Sequence, residues 1–204
     1  MRNGIVMVAV SVFLLALVPA ASANSVAYSL SCGGTSCGTV KITDVSGGVK
    51  IKVTMTGGYS IQASSNNSFA LNTGSGLTLS LSAFSTTEFG STTASMNAKV
   101  NDGAGKFTWG ITQFNIPNGK TSVRGFTATI LGVSTGDLTA NKNGNVVSVH
   151  YCTPVNGALS LNCSKTTAFA SSSPIPSVPE PGTLTMLGTG LIGLAGLARR
   201  RLIG

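Results

Sequence analysis

The chain has 204 residues, of which 9% are charged, with 13 Lys and Arg against 5 Asp and Glu for a formal charge of +8 at pH 7. A surface this poor in charge has to be built from Ser, Thr, Asn and Gly, which suits an exported protein. The basic excess does not point to nucleic acid, because the lysines are scattered along the chain and read as a solvated face.

At the N-terminus, Arg2 precedes an apolar run over residues 5–18 that only Ser11 interrupts, and Pro19 breaks it. Ala21-Ser22-Ala23 then supplies the small residues of a cleavage site. This is the pattern of a secretory signal helix over residues 1–23, cut by signal peptidase after Ala23. The run is short for a membrane-spanning helix.

Export sets the redox context. The four cysteines, Cys32, Cys37, Cys152 and Cys163, are expected to form disulfides. Proximity favours Cys32–Cys37 and Cys152–Cys163, and a crossed pairing that staples the two ends of the domain stays open. The spacings C-x4-C and C-x10-C with one histidine in the chain fit zinc poorly. No metal or cofactor is expected.

Residues 24–169 read as one all-β domain. Val40 and Ile42 alternate with Lys41 and Thr43, and Val49, Ile51, Val53 and Met55 alternate with Lys50, Lys52 and Thr54. With Ser46-Gly47-Gly48 between them, these runs predict a hairpin with one buried face. Further alternating runs centre on Leu77–Leu79–Leu81, Phe107–Trp109–Ile111, Phe126–Ala128–Ile130 and Val147–Val149–Tyr151. Gly57-Gly58, Asn101-Asp102-Gly103, Pro117-Asn118-Gly119 and Asn143-Gly144 mark turns between runs. Many short strands with tight turns and no 3.6-residue period predict a single β-sandwich or jelly-roll-like domain. Residues 170–178, a Ser/Pro stretch, are expected to be an extended linker outside the fold.

The search for chemistry in this domain is mostly empty. His150 is the sole histidine, and the acids Asp44, Glu88, Asp102 and Asp137 are isolated from one another. No catalytic residues are assigned, and an exported hydrolase using His150 is the weakest reading. Carbohydrate binding is the stronger alternative, with Tyr59 and Trp109 as candidate stacking platforms.

The tail carries the clearest signal. Pro179-Glu180-Pro181 is followed by an uncharged stretch over residues 182–198 containing five glycines, then by Arg199-Arg200-Arg201. Physically this predicts a minimal transmembrane helix with a cytoplasmic arginine stop. These three elements in order at residues 179–204 resemble the PEP-CTERM sorting signal. That signal is found on exported proteins of Gram-negative bacteria that make extracellular polysaccharide. The resemblance implies recognition of Pro179, Glu180 and Pro181 by exosortase, a membrane-embedded cysteine transpeptidase. It also implies removal of the tail, so that the membrane is a partner only before processing. The expected product is a non-enzymatic surface or matrix protein associated with extracellular polysaccharide and biofilm.

Overall fold

The computed structural model describes residues 23–63, 67–117, 119–155, 159–163, 167–174 and 190. They contain thirteen strands and one 3-10 turn in the order β1 (Ser25–Cys32), β2 (Thr35–Val45), β3 (Gly48–Met55), β4 (Ser60–Gln62), β5 (Phe69–Leu71), β6 (Ser80–Thr86), β7 (Gly90–Ser91), β8 (Ala94–Asp102), β9 (Gly105–Phe114), β10 (Ser122–Val123), β11 (Gly125–Leu131), the turn Thr135–Asp137, β12 (Val147–Cys152) and β13 (Thr167–Pro174). The all-β expectation holds. The compact unit that carries these strands is Ala23–Ser177. The signal helix with Ala21 and the transmembrane helix expected near the C-terminus lie outside the described residues. No helix among the described residues is long and apolar enough to cross a membrane.

The strands join into one hydrogen-bonded path, β7-β6-β11-β3-β2-β1-β13-β12-β5-β9-β8, with β4 attached to β12 and β10 attached to β4. The path folds over on itself. β11 and β5 are six steps apart along it, which in a flat sheet would separate them by about 29 Å at ~4.8 Å per strand. Yet Phe126 of β11 meets Phe69 of β5 edge to face at 5.5 Å. Phe84 and Phe114 join these rings, at 5.1 and 5.8 Å from Phe126. Around the four phenylalanines pack the inward residues of the predicted hairpin, Val40, Ile42, Val49, Ile51 and Val53, together with Ile111, Val147 and Val149. Burying each such side chain contributes about 1.5–3 kcal/mol, and the alternation of these residues with lysine and threonine is what makes one face bury and the other stay wet.

The hairpin forms as the pattern predicts, with Val40 opposite Val53 and Ile42 opposite Ile51. Gly48 is required where it stands, because a Cβ there would overlap the Ile130 carbonyl oxygen of β11. The run at residues 77–81 is only partly a strand. β6 begins at Ser80, opposite Leu131, the last residue of β11. Leu77 and the buried Leu79 precede it without ladder pairing, since the partner strand has ended.

The Ser/Pro stretch is the main correction. Residues 170–174 are not linker; they are the second half of β13. That strand pairs with β1 (Tyr28 opposite Pro174, Leu30 opposite Ser172) and with β12 (Val149 opposite Ala170). Serine serves in a strand when its hydroxyl finds backbone partners. Ser172 is 5% exposed, and its Oγ accepts from the N–H groups of Val146 and Val147, both at 3.1 Å. The proline is placed at the last strand position, where a missing N–H interrupts no further ladder.

Both disulfides join neighbours in sequence, Cys32–Cys37 and Cys152–Cys163, with Cα separations of 5.7 and 5.6 Å. The first ties β1 to β2. The second holds residues 159–163 against β4 and β10. There Ser60 Oγ and Ser122 Oγ both donate to the Ser160 carbonyl, and Cys163 N–H donates to Thr121 Oγ1.

Candidate functional site

Trp109 sits at the rim of the core. On β9 it is opposite Leu71 of β5 on one side and Ala98 of β8 on the other. Leu71 is buried and Ala98 is exposed. Trp109 is partly buried against the core, and its small neighbour on the outer strand leaves part of it open to solvent. The strand that carries Ala98 is irregular. Its register shifts between Ser95 and Met96, and Lys99 adopts a left-handed backbone with φ 57°. Lysine gains nothing locally from that conformation, which costs a non-glycine residue on the order of 1 kcal/mol. Val100 then turns over β9, where its methyl groups lie 2.8 and 2.9 Å from the place a Cβ on Gly110 would take.

The exposed part of Trp109 faces a cleft of about 240 Å³ lined also by residues 74–77, Ala98, Lys99 and Thr108. The wall at residues 72–77 is tied down from several directions. Thr73 N–H donates to Thr108 Oγ1 at 2.9 Å, and the two threonine hydroxyls are 3.1 Å apart. Gly74 N–H donates to the Asp137 carbonyl at 3.0 Å. Asn72 Nδ2 reaches the carbonyl and hydroxyl of Thr139 at 3.1 and 3.2 Å. Lys99 and Thr108 also line a second hollow of about 400 Å³ with Asn72, Val100, Lys106 and Phe107. The two hollows thus share Lys99 and Thr108, with the aromatic ring of Trp109 in the first and Lys106 in the second. An apolar surface with a few fixed polar groups is what a small-molecule or chain ligand needs.

Tyr59 does not join it. It is half-buried, packs on the core and turns edge-on to Tyr151 at 5.6 Å and 76°. Sequence reasoning singled out Trp109 but missed Lys99, Lys106, Thr108 and Asn72. Lys99 falls at a polar position of an alternating run, between Ala98 and Val100, which carries no local sign of its backbone conformation.

His150 is placed apart, on β12, stacked on Phe169. Burial holds its imidazole below the ordinary histidine range. Ser148 follows the same face of β12, and the Ser68 carbonyl accepts His150 N–H at 3.1 Å. The hydroxyls of Ser148 and Ser68 are buried and have no hydrogen-bond partner among the described residues. Three acids have structural partners. Asp44 accepts from Thr135 N–H and Oγ1 at 2.7 and 2.8 Å. Glu88 accepts from Arg124 N–H and Nε at 3.1 and 2.9 Å. Asp137 accepts from Ser134 N–H and Oγ at 2.8 and 2.7 Å, which holds its carboxyl below the usual range.

The tail residues Pro179, Glu180, Pro181, Arg199, Arg200 and Arg201 lie outside the described residues. Their assignment comes from comparison instead. Residues 177–201 match the family model of the PEP-CTERM protein-sorting motif. No curated protein and no solved structure matches the chain. The motif supports an exported protein sorted by exosortase, and implies sorting to the cell surface of a Gram-negative bacterium.

Proposed function

We propose that the β domain is a non-enzymatic, polysaccharide-binding protein of the cell surface or biofilm matrix, delivered there by exosortase, with Trp109 as its saccharide platform. The observation that carries this reading is the half-exposed indole of Trp109 in a pre-formed cleft beside Thr108 and Lys99. The C–H face of a sugar ring stacks on such an indole, while threonine and lysine take up its hydroxyl and acidic groups. The non-enzymatic part is supported by the structural bonding of Asp44, Glu88 and Asp137 and by the burial of the Ser148 hydroxyl, two residues from His150 on β12. A nucleophile with no access to solvent meets no external substrate.

Two measurements test the two halves. Co-sedimentation with extracellular polysaccharide from a producing host should weaken about tenfold in W109A, the equivalent of ~1.4 kcal/mol, and recover in W109Y. Binding by W109A as tight as that of the parent would refute the platform. Intact mass of the exported protein should show loss of the tail near Pro179-Glu180-Pro181, and a host lacking exosortase should keep the uncut precursor. A mature chain still ending at Gly204 in a normal host would refute the delivery.

A further inference from the structure

In the sequence the lysines are scattered, and the fold is what gathers three of them. Lys41 of β2 is directly opposite Lys52 of β3, and Thr43 is opposite Lys50. The alternate residues Val40, Ile42, Val49, Ile51 and Val53 point inward, each at most 1% exposed. Lys41, Lys50 and Lys52 therefore all stand exposed on the outer face. Lys50 and Lys52 are two residues apart on one strand, about 6.7 Å, and Lys41 is one strand over, about 4.8 Å.

Hydroxyls flank the lysines on most sides. On β11 the partners are Thr127 and Thr129, and on β1 Ala27 is opposite Lys41, with Ser25 opposite Thr43 and Ser29 opposite Thr39 on either side of it. Among the described residues no ion pair joins a carboxylate to these lysines. Asp44, Glu88 and Asp137 are turned to other partners, and Arg124–Glu88 is the only ion pair among the described residues. Like charges directly opposite on a sheet repel and destabilise it. A polyanion laid across the face would cancel that repulsion.

We infer that the outer face of β2 and β3 docks an acidic polysaccharide, through Lys41, Lys50 and Lys52 to its carboxylates or sulfates and through the flanking threonines to its hydroxyls. The side chains select this occupant. Among the described residues the large apolar ones exposed are Val45 and Leu131, at 38% and 36%. They sit at the hairpin end on either side of Gly48, too little surface to anchor in a bilayer. The lysine face has no aromatic ring on which a nucleic-acid base would stack. A second copy of the same face would meet its own charge. The inference rests on the export reading for where the ligand is met, and is independent of the Trp109 cleft.

The test uses the mature exported protein with polygalacturonate as the acidic probe, dextran as the neutral one, and duplex DNA and phosphatidylglycerol vesicles as rival polyanions. Polygalacturonate should bind at low salt, and dextran should not bind this face. Binding should fade at about 0.5 M salt, where screening acts within a few ångströms. At roughly fivefold per lysine, as for lysines near other anionic surfaces, K41Q/K50Q/K52Q should weaken polygalacturonate about a hundredfold. K41R/K50R/K52R should retain it, and K142Q, at an exposed lysine outside both this face and the Trp109 cleft, should leave it unchanged. The thermal midpoint of the glutamine triple should equal or exceed the parent's, since its removed groups are exposed and mutually repelling. Polygalacturonate binding by the glutamine triple within twofold of the parent overturns the inference. So does equal or tighter lysine-dependent binding to DNA or vesicles. Loss of polygalacturonate binding in W109A with none in the lysine triple would overturn this face and leave the cleft standing.

Discussion

His150 of β12 and Phe169 of β13 are cross-strand partners whose rings lie 4.4 Å apart at 19°. The stack buries an imidazole, which lowers its pKa from 6.5. Between the folded value and 6.5 the unfolded chain binds more protons than the folded one, so stability rises with pH across that window. The thermal midpoint should therefore hold above about pH 6.5 and fall on acidification below it, losing the contribution fully once the folded value is passed. H150Q should flatten this part of the profile. Asp137, held low by Ser134, titrates beneath it. A slope between about pH 7 and 5 that H150Q leaves unchanged would contradict the assignment.

Removal of the sorting tail should not disturb the domain, because its last strand ends at Pro174. A chain of residues 24–177 should fold with the cooperative melt of the processed protein. A chain of residues 24–169 should fail to, since it loses the β1–β13 ladder and the Ser172 hydroxyl that satisfies Val146 and Val147. Leaving two buried N–H groups unpaired costs about 1–3 kcal/mol each, a large share of a small domain's stability. Equal thermal midpoints for the two chains would show that residues 170–174 are dispensable after all.

The disulfide Cys152–Cys163 closes a short loop, its ends 11 positions apart in sequence. The double variant C152S/C163S should lose about 3 kcal/mol and melt several degrees lower, by about 4–8 °C per kcal/mol in the smallest domains and less at this size. The loss should appear as local opening first. Hydrogen exchange at Ser122 and Cys163, which bond to Leu161 and Thr121, should speed up before exchange in β2 and β3. Uniform acceleration throughout the sheet would mean that the bridge acts on the unfolded chain alone.

The hairpin β2–β3 was legible because both strands alternate without interruption and the glycines between them mark the turn. β8 was not, because its register shift at Ser95 and the left-handed Lys99 change which face its residues meet. β13 was not, because its serines read as linker until Ser172 is seen filling a buried backbone vacancy beside β12. Trp109 was picked out as an aromatic on a strand. Its cleft could not be, since the wall at residues 72–77 is held beside it by bonds to residues distant in sequence, Thr108, Asp137 and Thr139.

The sequence by itself determined the parts whose meaning is local. The sorting motif at residues 177–201 is read as contiguous chemistry. The inward phase of each regular strand follows from a two-residue period, and cysteines near in sequence found one another. Only the tertiary structure decided the parts that depend on pairing between distant strands. It set Lys41 against Lys52 on an outer face, closed Phe126 over Phe69 across the folded sheet, and brought residues 74–77 to Trp109. Strand register and sheet folding are set by the burial of the whole core at once, and no window of neighbouring residues contains that sum.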